Sequence, residues 1–254
     1  MVIPAHNEEQ RLPQTLEQIA DFLKRQAYAG EIVVVENGSS DRTLEIAREY
    51  ARRIPYLRVL HSDLRGKGLA VQMGILAARG TYRFFADADL SMPIDEVNRF
   101  IPPALPDVEV AIGSREAPGA VRYDEPNYRH LTGRVFNTIV RLLALPGLED
   151  TQCGFKCFRG DIADEVFPLQ TIPGWSFDVE VLFIARRRGY RIVEVGIPWY
   201  FNPGSKIRVL QDSLRMFVDL LTIRRNALAG RYGRPGRLGR SGRPGHPDGA
   251  APSD

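Results

Sequence analysis

The sequence contains few cysteines and no long apolar run, and both absences narrow the kind of protein it can encode. Only two of its 254 residues are cysteines, Cys153 and Cys157, which is too few for the disulfide framework of a small secreted domain. No apolar run reaches the roughly 18 residues that a membrane-spanning helix requires, and no signal peptide precedes the first strand-like segment. We therefore expect a cytoplasmic protein that meets a membrane only at its surface.

The sequence also has little net charge, except near its end. It contains 34 Lys and Arg and 31 Asp and Glu, a formal net charge of +3, and residues 231–243 contain arginines but no acidic residue. The rest of the chain is close to neutral, so nucleic acid is not an expected partner. From Gly230 onward Gly, Pro and Arg dominate without periodicity, which predicts a folded domain over residues 1–229 and a disordered tail over 230–254.

Strand-like apolar runs alternate with amphipathic stretches, a pattern typical of an α/β sheet covered by helices. The predicted strands are residues 2–3, 31–35, 57–60, 82–86, 108–112 and 191–197. The predicted helices are residues 11–26, 42–50, 69–78, 129–143, 179–188 and 205–225. The last helix places apolar residues at helical spacing with arginines among its polar positions, so packing on the core and lying in a membrane interface both fit it.

Four unusually polar segments follow predicted strands. They are PAHNEE (4–9), ENGSSD (36–41), DADLS (87–91) and GSRE (113–116). Each alone has a structural explanation, because Asn-Gly forms turns and Ser, Asp or Asn caps helices. In an open α/β sheet, however, ligands bind outside the carboxyl ends of the strands. Four such segments at one edge of a sheet predict a polar ligand site.

The segment FFADADLSM places two carboxylates where a predicted buried strand ends. The strand period of two puts Asp87 and Asp89 on the same side, where they repel each other unless a metal or a lysine lies between them. Oxygen ligands of this kind suit Mg²⁺ or Mn²⁺, which complete their shells with water and substrate phosphates. The alternative is that Asp89 or Ser91 caps a helix beginning near Pro93. We expect a metal carrying a nucleoside diphosphate.

Seven motifs in a fixed order resemble one enzyme family. They are VIPAHNEE, EIVVVENGSSDRT, RGKGLAVQMGILAARG, FFADADLS, GSRE, DTQCGFKCFR and WSFDVEVLFIARRRGY. The series resembles the family 2 inverting glycosyltransferases of the GT-A fold, and within them the dolichyl- or polyprenyl-phosphate glucosyltransferases and mannosyltransferases. The resemblance runs from Val2 to about Asn202. It implies a catalytic domain with a Rossmann-like, mostly parallel sheet and flanking helices, followed by an amphipathic C-terminal helix.

The resemblance also implies a role for each matched residue. The nucleotide-sugar pocket would be lined by Pro4, His6, Asn7, Glu8, Glu36, Gly38, Lys67 and Asp87, with Glu36 reading the base. The metal would be held by Asp87 and Asp89. The catalytic group would comprise Asp89, Arg115, Asp150 and Asp178. The acceptor phosphate would be bound by Arg115, Arg129 and Arg134.

The implied reaction is transfer of a hexose, with inversion, from a nucleotide sugar to a polyprenyl phosphate at the cytosolic face of a membrane. A lipid phosphate is already largely ionised near neutral pH, so it needs cations and positioning more than a strong base. Mannosyl-transferring relatives often have Gln where this chain has Ser91, which favours glucose. We therefore expect UDP-glucose as the donor, with GDP-mannose as the second candidate and Mg²⁺ or Mn²⁺ as the cofactor.

Three other functions remain open. The same donor chemistry on a polysaccharide or a small alcohol would need a general base, for which Asp178 and Asp150 are the candidates. A sugar nucleotidyltransferase usually opens with a GxGxR loop, whereas this chain opens with IPAHNEE. An inactive scaffold that binds a nucleotide sugar would not need Asp87, Asp89, Lys67 and Arg115 together.

Overall fold

Helices and strands alternate along the chain as the sequence predicts. The computed structural model describes residues 1–126, 134, 137–202 and 209–233, with residues 209–214 described by their backbone alone. Its strands are β1 Val2–Ala5, β2 Ile32–Asn37, β3 Leu57–Ser62, β4 Tyr82–Ala86, β5 Val110–Ser114, β6 Val121–Tyr123, β7 Phe155–Arg159, β8 Ile192–Gly196 and β9 Pro198–Tyr200. Its helices are α1 Leu12–Lys24, α2 Thr43–Arg53, α3 Lys67–Ala77, α4 137–143, α5 Gly160–Val166, α6 Phe177–Arg187 and α7 Val209–Leu228.

The central sheet is mostly parallel, as predicted. Within the described residues its order is β3-β2-β1-β4-β7-β5-β8. Only β7 runs antiparallel to its two neighbours, β4 and β5. A separate two-stranded parallel ladder joins β6 to β9. The carboxyl ends of β1, β2 and β4 therefore meet at one edge of the sheet, which places PAHNEE, ENGSSD and DADLS side by side.

Apolar side chains alternate between the two faces of the sheet and form a core on each. Val2 and Val33 belong to the core that also includes residues of α3 and α6, whereas Ile3 and Ile32 belong to the core with α1. Helix α3 lies so close to the sheet that a Cβ added at Gly74 would stand 2.3 Å from Val2 Cγ1. This close packing fixes the start of α3, and with it Lys67, at the edge where the loops converge.

The folded part of the chain extends beyond the predicted boundary at residue 229. Helix α7 ends at Leu228, and Tyr232 is fully buried, with its ring 6.1 Å from that of Phe183. The prediction of disorder from residue 230 is therefore wrong for residues 230–233, while residues 234–254 lie outside the described part of the chain. In the portion of the chain that the structure describes, we find no helix long and apolar enough to cross a bilayer.

Candidate active site

The first two polar loops are joined by hydrogen bonds between them. His6 Nδ1 donates to the Asn37 carbonyl at 2.9 Å, and the backbone N–H of Ser40 donates to Asn7 Oδ1 at 2.8 Å. Asn7 adopts a left-handed conformation, with φ 53°, which asparagine tolerates better than most residues. The Glu8 N–H donates to Thr43 Oγ1 at 2.8 Å. Asn7 thus ties PAHNEE to ENGSSD and holds His6 and Glu8 in place.

Glu36 lies beneath the second loop. Glu36 was predicted to recognise the base, but only 1% of its surface is exposed. Its carboxylate accepts hydrogen bonds from the Ser39 N–H and from His61 Nδ1, each at 2.5 Å. These bonds close the turn that contains Gly38, whose φ of 68° favours glycine. Glu36 and Gly38 therefore stabilise the second loop, and recognition of the base by Glu36 stays a prediction.

The contact between Glu36 and His61 predicts a pH dependence of stability. The hydrogen bond to Glu36 raises the pKa of His61 above its ordinary value of 6.5. A raised folded pKa gives stability that is complete below the unfolded value and is lost as the pH rises through the folded value. Wild type should therefore exceed His61→Gln in free energy of unfolding by more at pH 6 than at pH 8.5, as measured by urea denaturation. An equal difference at both pH values would contradict this account.

One cavity of about 430 Å³ opens beside these loops. The predicted residues that line it are Pro4, His6, Glu8, Lys67, Asp87 and Asp89. Other lining residues, to which sequence analysis gave no role, are Arg11, Arg65, Trp175, Arg215, Met216 and Asp219. Trp175 begins the motif WSFDVEVLFIARRRGY, and its place in that motif could have indicated a role in the site. Nothing in the sequence indicates a role for the α7 residues, because the fold alone brings that helix to the cavity.

A lysine lies directly on one of the paired aspartates. Lys67 Nζ is 2.5 Å from Asp87 Oδ1. Burial lowers the pKa of Lys67, but the charges of Asp87, Asp178 and Asp89 outweigh it and hold that pKa above its usual value. Burial, together with the charge of Asp87, raises the pKa of Asp89. Lys67 therefore compensates Asp87, and Asp89 is the carboxylate that gains most from a second cation.

The donor atoms present fit a divalent cation whose shell is completed by a substrate. Among the residues described, there is no cluster of three or more His, Cys, Asp or Glu side chains that could hold a metal. Asp87 and Asp89 offer carboxylate oxygens, which suit Mg²⁺ or Mn²⁺. Two protein ligands leave most positions to water and phosphate oxygens. This arrangement suits a metal that arrives with a nucleoside diphosphate rather than a resident structural ion.

The fourth polar loop is held by a buried ion pair. Arg115 donates from Nε and Nη2 to the two carboxylate oxygens of Asp150 at 2.6 and 2.8 Å, and its guanidinium lies 5.3 Å from the Trp199 ring. Asp150 is fully buried; burial raises its pKa, but Arg115 lowers it to about 2. GSRE thus faces Asp150. Because β5 runs in the same direction as β4, GSRE lies at the same edge of the sheet as the other three loops, but its residues are not among those that line the cavity.

Asp178 forms a second buried ion pair behind the paired aspartates. Lys156 Nζ donates to Asp178 Oδ1 at 2.8 Å and to the Cys153 carbonyl at 2.5 Å. Burial raises the pKa of Asp178, and Lys156 and Lys67 oppose that shift. A Cβ at Gly154 would stand 2.0 Å from Asp87 Oδ2. The segment that leads into β7 therefore supports Asp87 from behind, and Asp178 is held by a lysine rather than exposed in the cavity.

The remaining predicted arginines lie elsewhere. Arg129 is outside the described residues. Arg134 is exposed, its carbonyl accepts a hydrogen bond from Thr138 Oγ1 at 2.8 Å, and it is not one of the residues that line the cavity. The described cations on the cavity wall are instead Arg11, Arg65, Lys67 and Arg215. Binding of the acceptor phosphate by Arg129 or Arg134 stays a prediction.

Comparison with known proteins identifies the family. The model of glycosyl transferase family 2 matches residues 1–167. The chain belongs to glycosyltransferase family 2. Two similar proteins are the dolichyl-phosphate beta-glucosyltransferases of Dictyostelium discoideum, 32% identical over 91% of this chain and 75% of the relative, and of Homo sapiens, 34% identical over 91% and 76%. The predicted resemblance is thereby confirmed.

Solved structures confirm the GT-A fold. Mannosyl-3-phosphoglycerate synthase from Rubrobacter xylanophilus superposes with a TM-score of 0.64 at 19% identity, covering 96% of this glycosyltransferase and 77% of that chain. Glucosyl-3-phosphoglycerate synthase from Mycobacterium tuberculosis, in complex with Mn²⁺, UDP and phosphoglyceric acid, gives 0.61 at 20% identity, covering 93% and 78%. At these identities the likeness carries the fold alone.

Proposed function

We propose that this glycosyltransferase moves glucose, with inversion, from UDP-glucose to a polyprenyl phosphate of the dolichyl phosphate type. The observation that carries the proposal is that both candidate general bases of the site are occupied by cations. Asp150 and Asp178, the two candidates for a general base, are each buried in an ion pair. A hydroxyl acceptor would need such a base, whereas a phosphate monoester is already ionised. The names of the similar proteins point to the same acceptor.

The donor would lie along the edge formed by the first three loops. Five predicted residues line the cavity here: Pro4 and His6 would border the nucleoside, and Lys67, Asp87 and Asp89 would border the diphosphate. When bound, Mg²⁺ or Mn²⁺ on the two aspartates would neutralise charge on the departing nucleoside diphosphate. Lys67 offers a further positive charge that needs no rearrangement, because Asp87 already holds its ammonium group.

The acceptor phosphate would approach from the side of α7. Arg215 and Arg65 lie on the cavity wall, and guanidinium groups match phosphate oxygens with paired N–H donors. The protein has to hold this phosphate in line behind the anomeric carbon against repulsion from the donor diphosphate. Cations on both sides of the cavity suit that task.

The outward face of α7 would lie on a membrane surface. Among the α7 side chains that the structure describes, four large apolar ones are exposed: Phe217, Val218, Leu221 and Leu228. Arg224 and Arg225 are exposed beside them, as on helices that rest in anionic interfaces. We place the enzyme on the cytosolic face of a membrane, where its lipid acceptor is available.

The double variant Phe217→Ser with Leu221→Ser should therefore bind vesicles less tightly. Each substitution removes apolar surface that would enter the interface, and together they should weaken partition into phosphatidylserine-containing vesicles about tenfold. Co-sedimentation measures the effect. Leu142→Ser is the control, since Leu142 is even more exposed than Phe217 and Leu221 but lies on α4. Equal binding of both variants and wild type would remove α7 from the membrane contact.

An acceptor comparison tests the proposed reaction. UDP-glucose labelled in the sugar is incubated with polyprenyl phosphate, with the corresponding polyprenol, or with 3-phosphoglycerate. We expect label on polyprenyl phosphate alone, because the cavity supplies cations for a phosphate and the apolar face of α7 supplies a lipid surface. Label on the polyprenol would restore the need for a general base, and label on 3-phosphoglycerate would replace the lipid acceptor by a small one.

A further inference from the structure

A buried carboxylate connects the residues that follow α7 to the cavity wall. Glu180, on α6, is fully buried. Its Oε1 accepts hydrogen bonds from Thr171 Oγ1 and Tyr232 OH, each at 2.6 Å. Its Oε2 accepts the backbone N–H groups of Thr171 and Ile172 at 2.9 and 2.7 Å. Asn226 Nδ2 also donates to Thr171 Oγ1 and Tyr232 OH, at 3.1 and 3.3 Å.

The residues that Glu180 holds begin a short segment, 171–175, which we call the cavity segment. Its other end packs on the start of α3. The Pro173 carbonyl accepts the Gly68 N–H at 2.9 Å, and a Cβ at Gly68 would stand 2.6 Å from the Ile172 carbonyl oxygen. The Trp175 ring lies 5.0 Å from Lys67 Nζ, and Trp175 is 38% exposed on the cavity wall.

A continuous series of contacts therefore runs from Tyr232 to the paired aspartates. Tyr232 contacts Glu180 and Asn226 contacts Thr171, the cavity segment contacts α3, and Lys67 contacts Asp87. A buried carboxylate is tolerated only where its oxygens are hydrogen-bonded, and Glu180 has four donors. Since α7 also lines the cavity, this carboxylate joins two of the cavity's walls.

We propose that Glu180 and Tyr232 are positioning residues for donor binding, acting through the cavity segment on Trp175 and Lys67. The proposal rests on the proposed function for its kinetic readout. Neither side chain contacts the cavity, so their effect is on the geometry of the wall. Glu180, which belongs to the motif WSFDVEVLFIARRRGY, faces the backbone of residues 171 and 172.

Three substitutions affect different parts of this network. Tyr232→Phe keeps the ring and removes one donor to Glu180. Thr171→Val keeps the shape of the cavity segment and removes its hydroxyl donor. Glu180→Gln presents an amide N–H group toward the two backbone N–H groups or toward Tyr232, so it should have the largest effect. Tyr28→Phe is the matched control, because the Tyr28 hydroxyl donates to Asn98 Oδ1 at 2.7 Å on a different part of the surface.

The experiment combines kinetics with the fluorescence of Trp175. The KM for UDP-glucose and kcat are measured for each variant, and acrylamide quenching of Trp175 is measured in a Trp199→Phe background. We expect Tyr232→Phe to raise KM about fivefold with kcat changed by less than about twofold, and to make Trp175 more accessible to quencher. Thr171→Val should act in the same direction, and Tyr28→Phe should change neither. The thermal midpoint identifies variants that have lost the fold.

Two C-terminal truncations test the same contacts by removing whole residues. A chain ending at Gly233 keeps every described contact and should match wild type, whereas one ending at Arg231 should behave like Tyr232→Phe or worse. The proposal would be overturned if both Tyr232→Phe and Thr171→Val had the KM of wild type and the same quenching of Trp175 as wild type. If wild type transfers no glucose to polyprenyl phosphate, the proposed function fails, while the quenching of Trp175 still decides whether this network positions the wall.

Discussion

Replacing Asp89 by asparagine is expected to lower glucose transfer by about a hundredfold to a thousandfold while leaving the fold intact. The change is isosteric and removes one of the two negative charges that would hold the metal of the donor diphosphate. Because burial and the charge of Asp87 already raise the pKa of Asp89, loss of that charge relieves repulsion in the free protein. Thermal stability should be equal or slightly higher. Steady-state transfer and a thermal melt measure the two effects.

Asp95→Asn is the matched control. Asp95 lies six residues further along the chain, and its side chain is exposed in a surface ion pair with Arg25, so both activity and stability should stay close to wild type. Full turnover of Asp89→Asn would show that the paired aspartates do not carry the donor. A loss of stability in that variant would show that Asp89 serves the fold.

Replacing Lys156 by methionine is expected to destabilise the fold by about 3–5 kcal/mol. Lys156 and Asp178 are both buried, and methionine leaves the carboxylate without its cation in an apolar environment. Urea denaturation of wild type and variant gives the difference in free energy of unfolding. Activity should fall as well, since this pair supports the segment that contacts Asp87.

A second substitution, at Asp178, separates the effect of the lost charge from that of the changed side-chain shape. Lys156→Met combined with Asp178→Asn removes the unpaired charge, so it should recover much of the lost stability. Lys24→Met, which breaks an exposed pair with Asp21, should leave the unfolding transition unchanged. A single variant as stable as the double variant would mean that Asp178 is not held by Lys156 in solution.

The sequence predicted the sheet well where apolar residues dominate a strand. Strand β4 was predicted at its observed bounds, and β1, β2 and β3 within two residues at each end. Strand β7 was missed, because a lysine in the middle of FKCFR indicates a solvent-facing position, whereas Lys156 is buried against Asp178. Pairing with a residue 22 positions away is a property of the tertiary structure that local pattern does not contain.

The site was predictable to the extent that loop position follows from strand order. All four polar loops lie at one edge of the sheet as expected, and three of them line the cavity. The question raised by Asp87 and Asp89 has a partial answer, since Lys67 holds the first of them. The partners of Arg115 and Glu180 were not predictable, because each is paired with residues that only the fold brings near. Tyr232 was assigned to a disordered tail because the residues around it have the composition of a disordered segment.

The most direct test of the account is transfer of radiolabel from UDP-glucose, with GDP-mannose in parallel, into organic-extractable polyprenyl phosphate, with Mn²⁺ or Mg²⁺ and with EDTA. The account predicts lipid-phase label from UDP-glucose that requires the metal and is lost in Asp89→Asn. Label that persists in EDTA would contradict the role assigned to the paired aspartates. Label from GDP-mannose alone would contradict the donor, and an absence of lipid label from both donors would contradict the proposed reaction.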